Sequence, residues 1–108
     1  MLLFTMPITH DETHHRFVLT LPEGGGDLRY RLHPDGVMEM YHTEVDPGLR
    51  GRGAAAGLSA AAFAFARAKG LKVKVTCPYV ASWLKRRPEE NDLLLMRLDK
   101  PEPLIDPA

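Results

Sequence analysis

Apolar residues in the first half of the chain recur with the two-residue period of half-buried strands. They occupy every second position in residues 16–21, and residues 28–32 repeat the pattern. The glycine-rich stretch 22–27 between them predicts a loop, and a tight turn leads to a third strand over 37–45. Short connections favour an antiparallel meander. Residues 1–14 have weak periodicity and predict no strand.

The period changes to that of a helix after Gly53. Nine residues between Gly53 and Gly70 are alanine, the strongest helix former, and they predict a helix of roughly seventeen residues. Gly70 suits the left-handed conformation that ends many helices. Phe63 lies on roughly the opposite side from the face expected to pack on the sheet, which indicates that this side is covered as well. That face is formed by Ala54, Leu58, Ala61, Phe65 and Ala68.

A further strand and a second helix follow. Residues 71–76 predict a strand, which runs parallel to its predecessor because a helix separates the two. Two lysines in this strand predict a sheet with one face open to solvent, since a parallel strand covered on both faces would be continuously apolar. Pro78 begins a second helix that stops before Pro88, and residues 93–96 return to the core.

Length and composition fit one α+β domain over 1–108. The chain has 108 residues, 44% of them hydrophobic, and we expect a core over about 12–95 with a loose tail after 100. The single cysteine, Cys77, cannot form an internal disulfide. The apolar start ends at Pro7, too early for a secretory segment or a membrane span. We therefore expect a cytoplasmic protein with no membrane partner.

Charge is segregated along the chain although its formal sum is zero. Residues 47–88 contain nine lysines and arginines but no Asp or Glu. A block of one sign within a folded pattern indicates an anionic ligand, and a solvated basic face is the alternative. The neutral total argues against a general nucleic-acid binder, so no nucleic-acid partner is expected.

The glycine loop between the third strand and the first helix is the strongest chemical signal. Small residues in Arg50–Ala55 allow a ligand to approach the backbone, and the N–H groups at a helix start suit phosphate oxygens. A turn that merely starts the helix is the structural alternative. The loop lacks the Gly-Lys-Ser/Thr of a Walker A motif. Gly51, Gly53 and Ala56 satisfy a loose dinucleotide fingerprint, but the acidic residue it requires downstream is missing.

These residues resemble a known family. Arg50-x-x-Gly53-x-Ala55 is similar to the pyrophosphate signature of GNAT acetyltransferases. Three segments resemble the short, stand-alone GNAT-like N-acetyltransferases: His42–Val45, Arg50–Gly53, and Cys77–Val80 with Arg87–Glu89. The resemblance covers about 12–95. It implies a minimal GNAT fold with three antiparallel strands, a crossover helix, one further parallel strand and a C-terminal helix.

The resemblance also implies a function. Acetyl-CoA would be the co-substrate, and its acetyl group would pass directly to a primary amine of a lysine, a protein terminus or a small molecule. The alternative is a coenzyme A-binding module with little or no catalytic activity. A nucleic-acid accessory protein is a weaker third hypothesis. Coenzyme A would lie in a V-shaped gap between the third strand and the crossover strand, against Val45, Arg50, Gly51, Arg52, Gly53, Ala54, Ala55, Cys77 and Lys85.

The sequence departs from larger GNAT members at the end of the crossover strand. Cys77 stands near the position of their usual Asn, and the helix that follows has no Tyr at the position that protonates the leaving thiolate. Cys77 is therefore a candidate nucleophile, or a residue that only lines the pocket. Tyr79 is a candidate donor to the thiolate, with a packed, structural tyrosine as the alternative.

A general base helps acetyl transfer because the attacking amine must be neutral. His42 and Glu44 are the candidates, and either residue could instead be structural. Strict alternation predicts that both share a face with Met38 and Met40, with Tyr41, Thr43 and Val45 on the other face. The remaining histidines lack a cluster at ligand spacing, so no metal is expected.

Overall fold

Six strands form a single sheet in the order in which they occur in the chain. The computed structural model describes residues 7–97. Its elements are β1 (Ile8–Asp11), β2 (Arg16–Leu21), β3 (Gly24–His33), β4 (Val37–Val45), α1 (Ala54–Lys69), β5 (Lys72–Val75), α2 (Pro78–Lys85) and β6 (Leu94–Arg97), with short 3-10 helices at Pro47–Leu49 and Pro88–Leu93.

The first four strands are antiparallel neighbours, whereas β4, β5 and β6 are parallel. Right-handed crossovers that advance in one direction place α1 and α2 on the same face of the sheet. The two helices pack together there, with the ring centroids of Phe63 and Trp83 5.3 Å apart. The fold is the predicted α+β arrangement in two layers, and the other face of the sheet is open.

The core lies between the helices and the sheet. Most of the side chains that β2 to β5 direct to that side are buried and apolar, and Thr43 is a buried polar exception. Arg29, Arg31 and Lys74 lie on the open face, where each is at least partly exposed. The prediction of an open face from the lysines of β5 is therefore confirmed. Phe17, Leu19, Leu28, Tyr30, Met38, Met40, Val73 and Val75 form the sheet side of the core.

A β-bulge at Tyr41 changes which side chains of β4 share a face. Arg29 pairs with His42 but Tyr30 pairs with Met40, so Tyr41 is the extra residue. The alternation shifts by one position after it. Thr43 and Val45 are consequently buried on the helix side with Met38 and Met40, and His42 and Glu44 lie on the open face. The predicted grouping of His42 and Glu44 with the two methionines was wrong.

Other differences from the sequence prediction concern the ends of elements. The predicted loop 22–27 is a two-residue connection, because Gly24–Asp27 pair within β3. The strands β1 and β6 extend the sheet by one strand on each side. β6 follows α2, the helix that was expected to be the last element. The predicted tail after 100 lies outside the described residues.

The buried face of α1 agrees with the prediction in part. Phe63, on the side opposite the predicted face, is buried because Trp83 of α2 covers it, as expected, whereas Ala68 of the predicted face is exposed. Gly70 has φ 69° and caps the helix as predicted. The residues of α1 that are fully buried are Ala54, Leu58, Ser59, Ala62, Phe63 and Ala66.

Candidate functional site

A groove opens where β4 and β5 part. The backbone N–H of Thr76 donates to the carbonyl of Met40 across 3.0 Å. Beyond this bond β4 continues to Val45 paired only with β3. The groove has a volume of about 360 Å³. Its walls are the end of β4, the glycine loop, the start of α1 and residues of α2. It is lined by Val45, Leu49, Arg50, Gly51, Gly53, Ala54, Ala55, Ala56, Tyr79 and Arg86.

The glycine loop presents backbone N–H groups at this groove. Gly51 and Gly53 have φ of 79° and 83°, the left-handed region that glycine adopts without steric cost. The N–H of Gly57 donates to the carbonyl of Gly53 in the first turn of α1, so the N–H groups that precede it have no partner within the helix. No acidic residue lies in this first turn. The helix start is consequently arranged to receive an anion.

Arg50 and Arg86 add positive charge to the groove. Six of the eight arginines with described side chains lie within 4.0 Å of a carboxylate oxygen. Arg50 and Arg86 have no such partner in the described part of the chain. The only two described arginines without a carboxylate therefore both line the groove.

Three of the predicted cofactor residues do not line this groove: Arg52, Lys85 and Cys77. Arg52 points to Glu23, with its NH2 3.1 Å from a carboxylate oxygen, because the turn between Gly51 and Gly53 directs it away. Lys85 is exposed outside the groove, and the next residue, Arg86, lines it instead. Val45, Arg50, Gly51, Gly53, Ala54 and Ala55 all line the groove.

Cys77 is buried beside the groove and does not line it. Its side chain is in the core, with the residue 1% exposed, and the thiol donates a hydrogen bond to Thr43 Oγ1 across 3.2 Å. Tyr79 lies two residues later in the first turn of α2, is 48% exposed and lines the groove. Of the two, Tyr79 is the residue that a ligand in the groove would contact.

His42 and Glu44 form a pair on the open face of the sheet. His42 Nε2 lies 3.5 Å from Glu44 Oε1, and Arg29 NH2 lies 3.7 Å from the same oxygen. The groove lies on the other side of β4 from this pair. Thr43, between the two residues in sequence, points to Cys77 on the helix side.

Comparison with known protein families identifies the family to which the chain belongs. The family model described as GCN5-related N-acetyl-transferase matches residues 16–93, most of the chain. The chain belongs to the GCN5-related N-acetyltransferase family. The resemblance of the glycine loop to a GNAT signature is thereby confirmed at the level of the family.

Curated relatives and a solved structure agree with this GNAT assignment. The chain is 33% identical over 84 residues to the human and chicken proteins called Protein NATD1, covering 75% of this chain and 74% and 76% of theirs. An NMR structure of a GCN5-like protein from Staphylococcus aureus shares the fold, with a TM-score of 0.62 at 22% identity. That similarity covers 87% of this chain and 92% of the other.

Two further observations bear on this GNAT domain. Within residues 7–97, no three His, Cys, Asp or Glu side chains are grouped so that they could hold a metal ion. The described helices are also too short or too polar to cross a membrane.

Sequence reasoning missed three residues of the groove in this GNAT domain. Leu49 and Ala56 flank the signature on either side, and both could have been found by extending the loop by one residue each way. Arg86 caps α2, and the helical phase that turns it toward the groove depends on where that helix begins. The sequence signal that could have pointed to Arg86 was its positive charge directly after Lys85.

Proposed function

We propose that this chain is an acetyl-CoA-dependent N-acetyltransferase that acts on a primary amine by direct transfer. The observation that carries the proposal is the groove, in which unpartnered N–H groups at the start of α1 lie with Arg50 and Arg86. Two adjoining phosphates need such a set of donors. The apolar wall formed by Val45, Leu49 and Tyr79 suits the uncharged arm of coenzyme A.

Direct transfer requires an amine, a base and a thioester but no enzyme nucleophile. The amine nitrogen attacks the thioester carbonyl carbon, the carbon–sulfur bond breaks, and the amine loses a proton while the thiolate gains one. Cys77 is a poor nucleophile here because it is buried and its thiol donates a hydrogen bond to Thr43. We assign Cys77 to packing beside the acetyl group.

His42 and Glu44 are the proposed route for the amine proton. They are solvent-accessible and within reach of each other on the open face, so a proton could leave the amine directly or through water. Tyr79 is the proposed donor to the thiolate, because it lines the groove from the first turn of α2 and carries a hydroxyl. An acceptor would approach from the open face, which no helix covers.

A screen of amine acceptors tests this function. Purified protein is incubated with acetyl-CoA and a panel of lysine peptides, peptides with free termini and small amines, and free coenzyme A thiol is measured. We expect at least one acceptor to release coenzyme A above the rate without acceptor. Saturable coenzyme A binding with no release for any amine would favour the alternative, a coenzyme A-binding module.

A further inference from the structure

A buried carboxylate lies on the open face of the sheet where β4 and β5 part. Glu39 is 8% exposed, although the side chains beside it on that face are charged and partly solvated. Its Oε1 accepts a hydrogen bond from His33 Nε2 across 3.0 Å, and its Oε2 accepts one from the Thr76 hydroxyl across 3.0 Å. Arg31 NH1 lies 3.3 Å from Oε2. A buried carboxylate is tolerated only with such donors.

Thr76 connects this carboxylate to the groove. Its N–H makes the last backbone hydrogen bond between β5 and β4, and its side chain bonds Glu39, so it is held at two points. Cys77 follows directly, and α2 then carries Tyr79 and Arg86 along one wall of the groove. The position of that wall therefore depends on where Thr76 is held.

We propose that Glu39 is a positioning residue for acetyl transfer: by holding Thr76, it fixes the point at which β4 and β5 part and hence the place of Cys77 and Tyr79. The role rests on the proposed function. Glu39 does not line the groove, and it acts only through Thr76.

The protonation state of Glu39 agrees with a role as the hydrogen-bond acceptor that holds Thr76. Burial is the largest single effect and would raise the pKa of Glu39. The hydrogen bonds from His33 and Thr76, together with the charges of Lys74 and Arg31, outweigh it and hold the pKa below its ordinary value. Glu39 is therefore ionised at neutral pH, with both carboxylate oxygens occupied by donors. A carboxylate in that state is suited to holding a hydroxyl and not to accepting the amine proton.

Cys77 supplies a readout that needs no ligand. It is the only cysteine of the chain and is almost fully buried, so its alkylation rate reports opening at the start of α2. Thr76→Val removes the hydroxyl and keeps the shape, and we expect labelling to rise about tenfold. Thr76→Ser keeps the hydroxyl and should label at the wild-type rate. Glu39→Met removes the acceptor at similar length and should label like Thr76→Val. If the Met variant does not fold, Thr76→Val alone decides the result.

His33→Ala is the matched control, because it removes a different partner of Glu39 without touching β5 or α2. We expect its labelling rate to stay within about twofold of wild type. Equal rates in the Val, Ser and wild-type proteins would overturn the proposal. So would a rise in every variant, the control included, that simply follows the fall in melting temperature.

The reaction supplies the second readout. Thr76→Val should lower kcat about tenfold through misplacement at the acetyl end. The Kd for coenzyme A should change much less, because the backbone N–H donors and Arg50 lie on the glycine loop and the start of α1, and only Arg86 lies at the end of α2. Thr76→Ser should restore kcat. Faster labelling with an unchanged kcat would overturn the positioning role. If wild-type protein binds no coenzyme A, the proposed function and the role in transfer both fail, whereas labelling still decides whether Glu39 holds Thr76.

Discussion

The thiol of Cys77 donates a hydrogen bond to the hydroxyl oxygen of Thr43, across 3.2 Å in the core beside the groove. This contact joins the start of α2 to β4 where the two strands have parted. The thiol is buried and engaged in this hydrogen bond, so whether it reacts distinguishes two mechanisms. A nucleophilic cysteine would form an acetyl-enzyme and give ping-pong kinetics, whereas direct transfer needs a ternary complex.

The first prediction is that Cys77→Ser retains activity. Serine keeps a donor for Thr43 and nearly the same volume, so kcat should fall by less than about tenfold, mainly through packing. Mass spectrometry of wild-type protein with acetyl-CoA alone should show no adduct on Cys77. An acetyl adduct that then passes to an added amine at a competent rate would make Cys77 the nucleophile.

The second prediction concerns Gly53, which has φ 83° at the start of α1. Gly53→Ala imposes a left-handed strain of roughly 1–2 kcal/mol and places a methyl group where phosphate oxygens would approach the backbone. Gly36→Ala is the control, since Gly36 has φ 78° with nothing within 4 Å of an added Cβ, far from the groove. Both should lower the free energy of unfolding similarly, and only Gly53→Ala should lose coenzyme A affinity. Equal affinities would move the phosphate site elsewhere.

The third prediction separates the two kinds of arginine near the loop. Arg86→Ala should weaken coenzyme A binding about tenfold, because this guanidinium lines the groove without a carboxylate partner. Arg52→Ala should have a smaller effect, since Arg52 is directed to Glu23 on the surface. Calorimetric titration of both variants measures the difference, and the reverse order of effects would remove Arg86 from the binding site.

The fourth prediction is a pH dependence of stability that comes from His10. Its ring stacks on Phe17 at 4.1 Å and its Nε2 lies 2.6 Å from the Tyr30 hydroxyl. Burial lowers the pKa of His10, against the weaker opposing effects of Glu12 and Asp11.

The folded protein thus favours neutral His10, and its contribution to stability is complete above the unfolded pKa of about 6.5. It is lost as the pH falls through the lowered folded pKa. Melting temperatures measured from about pH 7.5 to about pH 5 should fall more steeply for wild type than for His10→Gln. Parallel curves would mean that His10 does not contribute.

Periodicity predicted the elements whose patterns are long. The alternation in β2 and β3 and the alanines of α1 determine those elements locally, and Gly70 ends the helix as its conformational freedom suggests. β1 has only four residues, three of which are polar or charged, so its pattern is too short and too polar to recognise as a strand. It is a strand because β2 pairs with it.

The parts of the site that sequence could not supply depend on tertiary pairing. The bulge at Tyr41 exists only relative to β3, so strict alternation assigned His42 and Glu44 to the wrong neighbours. The bond between Cys77 and Thr43 joins residues 34 positions apart. The glycine loop, by contrast, was predictable because its chemistry is carried by the backbone between adjacent elements.

Calorimetric titration of coenzyme A and acetyl-CoA into the purified chain tests the central claim most directly. Wild-type protein should give saturable heat, and its melting temperature should rise with either ligand. Arg50→Ala combined with Arg86→Ala should abolish both effects without lowering the melting temperature of the free protein, because neither arginine has a carboxylate partner in the described chain. A flat titration and an unchanged melting temperature for the folded wild-type protein would contradict the account.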